Sequence, residues 1–213
     1  GHPVSASGIF FHSVQYDIKT EPSGKYDDLF DYDTLRKLAL KHKPKLIWVG
    51  TSAYPLMIHY EEFASIADEV GAYLVADIAH IAGLIVGDAH PSPTQHVHII
   101  TTTTHKTLRG PRGAMIMVTE KGLKKNPNLP TQINKAVFPG LQGGPHDNQT
   151  AAIAAALYEV AQPEFKTYVR NVVKNAGVLA QELKKGGLKI VGGRTETHLV
   201  LVDLSPTHGA GAG

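Results

Sequence analysis

The chain has 213 residues, 42% hydrophobic and 19% charged, with 21 basic and 19 acidic side chains and no cysteine. That composition belongs to folded globular proteins, and a net charge of +2 with no basic run longer than Lys124-Lys125 or Lys184-Lys185 argues against a nucleic-acid partner. Disulfides, thiolate metal sites and thiol nucleophiles are excluded; no apolar run reaches the length of a membrane span, so no membrane partner and a cytoplasmic location are expected.

In chain order, Lys45–Val49 is a short apolar run of strand formers, and Tyr60–Val70 places Phe63, Ile66, Ala67 and Val70 at helical spacing before Gly71. Ala72–Ala76 is a second apolar run, so a parallel βαβ unit covered on both faces is expected. Val97–Thr102 supplies a third strand, reached by a crossover containing Pro91 and Pro93. Ala114–Val118 follows Lys106 too closely for a crossover helix and is expected to run antiparallel. An irregular Gly/Pro segment leads to an alanine-rich helix over Ala151–Ala161 and a long amphipathic helix over Glu164–Lys185, closed by Gly186-Gly187. Leu188–Val191 and His198–Val202 read as strands of a second, smaller domain. The resulting class is α/β with a mixed, mostly parallel sheet, divided into 1–162 and 163–213. Gly1 stands where an initiator Met would, and the tail Thr207–Gly213 is a run of small residues. A partial chain is expected.

Ligands in open α/β sheets bind outside the carboxyl ends of the strands. Ser52, Asp77 with His80, and His105-Lys106 fall there. A lysine amine in low dielectric is pushed toward its neutral form and becomes a nucleophile for an aldehyde; otherwise Lys106 is an ordinary solvated loop residue. A carboxylate at Asp77 costs several kcal/mol unless a cation or donors meet it, and a protonated pyridine nitrogen is one such cation. Alternatively Asp77 caps the turn at Ile78–Ala82. Arg112, in Gly110-Pro111-Arg112-Gly113, is either aimed at an anion or the lysine loop, or is a surface residue of a hairpin. Gly140, Gly143 and Gly144 before a helix form a candidate anion site. His96 and His98 alternate onto one strand face, but no zinc motif, GxSxG elbow, P-loop or GxGxxG occurs, so no metal is expected.

Three motifs, Val75-Ala-Asp-Ile-Ala-His-Ile-Ala-Gly-Leu84, Thr101-Thr-Thr-Thr-His-Lys-Thr-Leu108 with Gly110-Pro-Arg-Gly113, and Val137-Phe-Pro-Gly-Leu-Gln-Gly-Gly-Pro145, together resemble serine hydroxymethyltransferase, a fold-type I pyridoxal phosphate enzyme. The resemblance runs from Pro3 to Leu204 and covers roughly the middle half of that family's architecture. It implies conversion of serine and tetrahydrofolate to glycine and methylenetetrahydrofolate, with pyridoxal phosphate carried as a Schiff base on Lys106. It also implies Asp77 on the ring nitrogen, His80 and Ser52 on the phenolic oxygen, Thr103 in the cofactor-binding set, and Gly143 and Gly144 on the phosphate of a neighbouring subunit. His105 and Arg112 would support the lysine in a homodimer or homotetramer. The family's ring-stacking histidine, further phosphate ligands and substrate-carboxylate arginine match nothing in this chain, so little turnover is expected from it alone. Two other readings stay open: another fold-type I enzyme such as a threonine aldolase, and a non-catalytic cofactor-binding or oligomerisation remnant.

Overall fold

The computed structural model describes residues 4–205; the small-residue tail lies outside them. A short helix α1 (Ala6–Phe10) precedes an antiparallel hairpin of β1 (Ile18–Ser23) and β2 (Asp28–Phe30), which turns through Gly24 and Asp27, both at positive φ. Helix α2 (Tyr32–His42) begins where the Asp31 carboxylate accepts from the Thr34 amide and ends at left-handed Lys43. Neither the hairpin nor α2 is among the elements expected from the sequence.

The central sheet follows the expected order. Strand β3 (Leu46–Gly50), helix α3 (Tyr60–Glu69), strand β4 (Tyr73–Asp77), helix α4 (Ala82–Val86) and strand β5 (Ile99–Thr103) place β3, β4 and β5 parallel and adjacent. Strand β6 (Ala114–Val118) runs antiparallel beside β5, because the connection 104–113 is too short for a crossover. The sheet order is β3-β4-β5-β6. Its register puts Ile47, Val49, Leu74, Ala76 and Ile100 on one face, and all five are buried in the main core with Phe63, Ile66 and Ala67 of α3.

His96 lies outside β5, its amide bonded to the Pro93 carbonyl, and His98 is buried, so the expected pairing of these two on one strand face does not form. The segment read as irregular contains helices α5 (Glu120–Lys125), capped by Thr119, and α6 (Leu129–Lys135), then a π-type turn over Ala136–Leu141 broken at extended Phe138. Gly122 and Pro130 hid both helices, yet Pro130 sits in a first turn, where it is tolerated, and Gly122 has no room for a Cβ beside the His98 carbonyl. Helix α7 (Asp147–Val160) starts earlier than its alanine run suggests. Helix α8 (Pro163–Lys185) buries Phe165, Val169, Ala176 and Ala180 and packs on α4, where Val169 faces Gly87. The last two strands shrink to a two-residue antiparallel pair, β7 (Lys189–Ile190) and β8 (Val202–Asp203).

Candidate functional site at the strand ends

Gly50, Asp77 and Thr101 sit side by side across β3, β4 and β5, so parallel register alone brings the predicted carboxylate between the two neighbouring strand ends. Gly50 is required there: a Cβ would stand 2.6 Å from the Asp77 Cβ and 2.8 Å from its carbonyl oxygen. The Asp77 Oδ1 accepts from the Ala79 amide at 3.0 Å, while α4 begins only at Ala82. Asp77 therefore turns the chain after β4 but does not cap a helix. Among the described residues its second oxygen has no hydrogen-bond partner.

Lys106 lies three residues past the end of β5 and is half-buried, not enclosed; its Nζ donates to Thr103 Oγ1 at 3.2 Å. The loop holding it is knitted to the Asp77 loop by Thr107, whose hydroxyl donates to the His80 carbonyl at 3.0 Å and accepts from the Gly83 amide at 3.0 Å. Gly83 has no room for a Cβ because the Thr107 carbonyl stands against it. The other end of the loop is fixed by Thr104, which donates to the Pro111 carbonyl at 2.6 Å and whose own carbonyl accepts from Gly110.

His80 is drawn below its ordinary value, first by burial and then by the positive charge of Lys106, with Asp77 pulling the other way. Its imidazole is thus neutral near pH 7. Sequence reasoning missed two more groups. Tyr60, buried at the start of α3 with a hydroxyl that has no partner among the described residues, has its phenol pushed up by burial and by the charge of Asp77. His198, whose buried Nδ1 has no partner among the described residues, has its pKa lowered by burial and by His80. It comes within electrostatic range of His80 on the loop 194–199, which is latched to the loop after β3: Glu196 accepts from the Met57 amide at 2.8 Å and donates its own amide to the Pro55 carbonyl at 2.8 Å. No local pattern signals such a contact.

The remaining predicted residues are less tightly tied in. Ser52 is exposed just beyond β3. Among the described residues, the buried His105 Nδ1 and Thr101 Oγ1 have no hydrogen-bond partner. Arg112 is exposed on the 104–113 connection. Gly143 and Gly144 are exposed on the loop that enters α7, with open space for 4 Å around the point where a Cβ would stand. Among the described residues no cluster of three or more His, Asp or Glu side chains is arranged to hold a metal, and no helix is long and apolar enough to cross a membrane.

Comparison with known proteins decides the family. The profile of the family described as Serine hydroxymethyltransferase matches residues 1–213. The chain belongs to the serine hydroxymethyltransferase family. A protein named serine hydroxymethyltransferase from Acidothermus cellulolyticus is 54% identical over 211 residues, which is 99% of this chain and 47% of that protein. Proteins of the same name from Wolbachia sp. subsp. Drosophila simulans and Wolbachia pipientis wMel are each 52% identical over 204 residues, 96% of this chain and 45% of theirs. The chain spans about half the length of these curated relatives. The mixed α/β sheet agrees with the fold-type I class, and a threonine aldolase is not favoured by these matches.

Proposed function

We propose that this chain carries the cofactor-holding half of a cytoplasmic serine hydroxymethyltransferase, which interconverts serine and glycine with tetrahydrofolate as the one-carbon acceptor. The observation that carries the reading is the convergence of Asp77, His80 and Lys106 at adjacent strand ends, in a chain of that family. The donor set fits pyridoxal phosphate: an amine and, without partners among the described residues, a carboxylate oxygen and buried polar atoms on Thr101 and His105. Lys106 would hold the aldehyde carbon, Asp77 the ring nitrogen, and His80 and Ser52 the phenolic oxygen. When bound, the cofactor supplies an electron sink for negative charge left at the substrate α carbon.

The chain's own residues orient and tune this site. The Ala79 amide fixes the Asp77 carboxylate, whose other oxygen would hold a proton-bearing ring nitrogen by a charge-assisted bond. Thr103 aims the Lys106 amine, and Thr107 ties the lysine loop to the His80 loop, so the two groups are held in fixed relation. Neutral His80 can donate or accept a hydrogen bond at a ring nitrogen without adding a second cation beside Lys106. His105 and Arg112 would support the lysine. Helix α7, apolar around much of its circumference yet largely exposed, and the open Gly143-Gly144 loop at its start support a homodimer in which that loop reaches a neighbouring subunit's cofactor phosphate. The segment 163–213 begins the smaller domain.

The test is to incubate the chain with pyridoxal phosphate, reduce with borohydride and map the modified peptide by mass spectrometry. Cofactor mass on Lys106, lost in Lys106→Ala and weakened in Asp77→Asn, is expected. Labelling spread over surface lysines, unchanged by Asp77→Asn, would refute the assignment.

A further inference from the structure

The connection 104–113 that carries Lys106 holds one residue in an unusual backbone conformation. Arg109 has a φ of 59°, in the left-handed region that side chains other than glycine enter only at a cost. A residue stays there when its surroundings over-determine it. The Arg109 amide donates to the Lys106 carbonyl at 2.9 Å, and its guanidinium carbon lies 4.7 Å from the centre of the Tyr168 ring and 5.3 Å from that of Phe165. Both distances fall within the about 6 Å over which a cation is drawn to a ring face. Phe165 belongs to the main core and the two rings pack 5.8 Å apart, so the guanidinium rests on a fixed base. The Glu159 carboxylate adds little: it stands 4.0 Å away, and both side chains are open to water.

Helix α8 is tied to the Asp77 side of the site as well. Val169, one residue past Tyr168, fills the place where Gly87 would carry a Cβ, and Lys166 pairs with Asp88 at 2.6 Å; Gly87 and Asp88 directly follow α4, which the Asp77–His80 loop enters. The first turns of α8 therefore meet the lysine loop at Arg109 and the end of α4 at Gly87. Within the lysine turn, Thr107 bonds to the His80 loop and Arg109 to α8, so the turn is held from two sides. We infer that Arg109 is a positioning residue for Lys106: by clamping the turn to Phe165 and Tyr168 it keeps the amine in register with the Asp77 loop. It acts through the turn that its amide closes on the Lys106 carbonyl, not through the amine, whose hydrogen bond goes to Thr103. That role rests on the cofactor reading above; the clamp itself does not.

The test uses the full chain and reads two quantities. One is the hydrogen-exchange protection of the Arg109 and Gly110 amides without cofactor; the other is borohydride-trapped pyridoxal phosphate on Lys106, divided by that on the exposed Lys185. Arg109→Asn removes the guanidinium but keeps a residue that tolerates the left-handed backbone, and Tyr168→Ala removes a half-exposed ring without touching the loop. Each is expected to lower the protection of both amides and to lower the Lys106 ratio about three- to tenfold, the size of one cation–ring attraction. The double variant should lose no more than the larger single loss, because either change opens the same clamp. Tyr168→Phe keeps the ring and should leave both readings as they are in the unsubstituted chain. Thermal unfolding of each variant separates positioning from folding. An unchanged Lys106 ratio or unchanged protection in Arg109→Asn, additive losses in the double variant, or labelling that merely tracks the unfolding midpoint across the variants overturns the proposal. If the unsubstituted chain retains no cofactor on Lys106, the cofactor reading fails and protection alone decides the clamp: lower protection in both single variants upholds it, and unchanged protection sinks it.

Discussion

Replacing His98 by Asn tests how a buried imidazole holds the third strand in place. His98 is 2% exposed at the foot of β5; its amide donates to the Leu74 carbonyl at 2.9 Å and its Nδ1 accepts from the Leu74 amide at 2.9 Å, so the ring completes the ladder where the strand begins. An accepting Nδ1 must be unprotonated. Burial, then the charges of Lys125 and Lys121, lower its pKa from 6.5 to about 4, against a weaker pull from Asp68. Between those values the unfolded chain binds a proton that the folded chain refuses. Stability from this group is therefore full above about pH 6.5 and is lost as pH falls toward 4. At about 1.4 kcal/mol per pH unit, the loss between about pH 7.5 and 4.5 comes to roughly 2 to 3 kcal/mol. In His98→Asn the new side-chain oxygen can accept from the Leu74 amide without titrating, at a cost of about 1 kcal/mol at neutral pH for lost ring packing on Tyr73. Urea unfolding of both proteins at the two pH values gives the difference, because acid effects on carboxylates are common to both. Equal loss of stability in the two proteins would refute the reasoning.

Two further outcomes follow from contacts at the site. Gly50→Ala drives a methyl into the Asp77 backbone, which cannot yield as a flexible side chain would; a stability loss of about 1–3 kcal/mol and weaker cofactor retention on Lys106 are expected, read by thermal unfolding and by the borohydride assay. Glu196→Ala leaves the Met57 amide without its acceptor and frees the 194–199 loop; a loss of about 1–3 kcal/mol and faster hydrogen exchange at Met57 are expected, and unchanged exchange would show that the latch is not closed in solution.

The sheet was legible because apolar runs separated by one helix leave little choice. Tyr60–Glu69 and Tyr73–Asp77 fall within about a residue of their sequence limits. The antiparallel direction of β6 followed from loop length alone. The hairpin, α5 and α6 are hidden because short polar elements with Gly or Pro inside show their caps only when the backbone is seen, whereas α2 has neither inside it and shows its Asp31 cap only in the folded backbone. At the site, Asp77, His80 and Lys106 announced themselves by their place after strands. Gly50, Tyr60, Thr107 and His198 did not, because an isolated glycine, tyrosine, threonine or histidine is ordinary in any sequence.

Which segments of the central sheet are strands, which residues end them, and the family whose motifs those residues spell were all written in the linear order of the chain. These are properties of neighbours: hydrophobic period, turn residues and residue type at a given spacing. Tertiary structure decided what depends on lateral register and on contacts between distant segments. It set Gly50 against Asp77, tied Thr107 to His80, brought His198 within electrostatic range of His80 beside a loop latched at Met57, and left Trp48 half-exposed. Lateral pairing of strands is chosen by the whole buried face at once, so no single stretch of the sequence contains it.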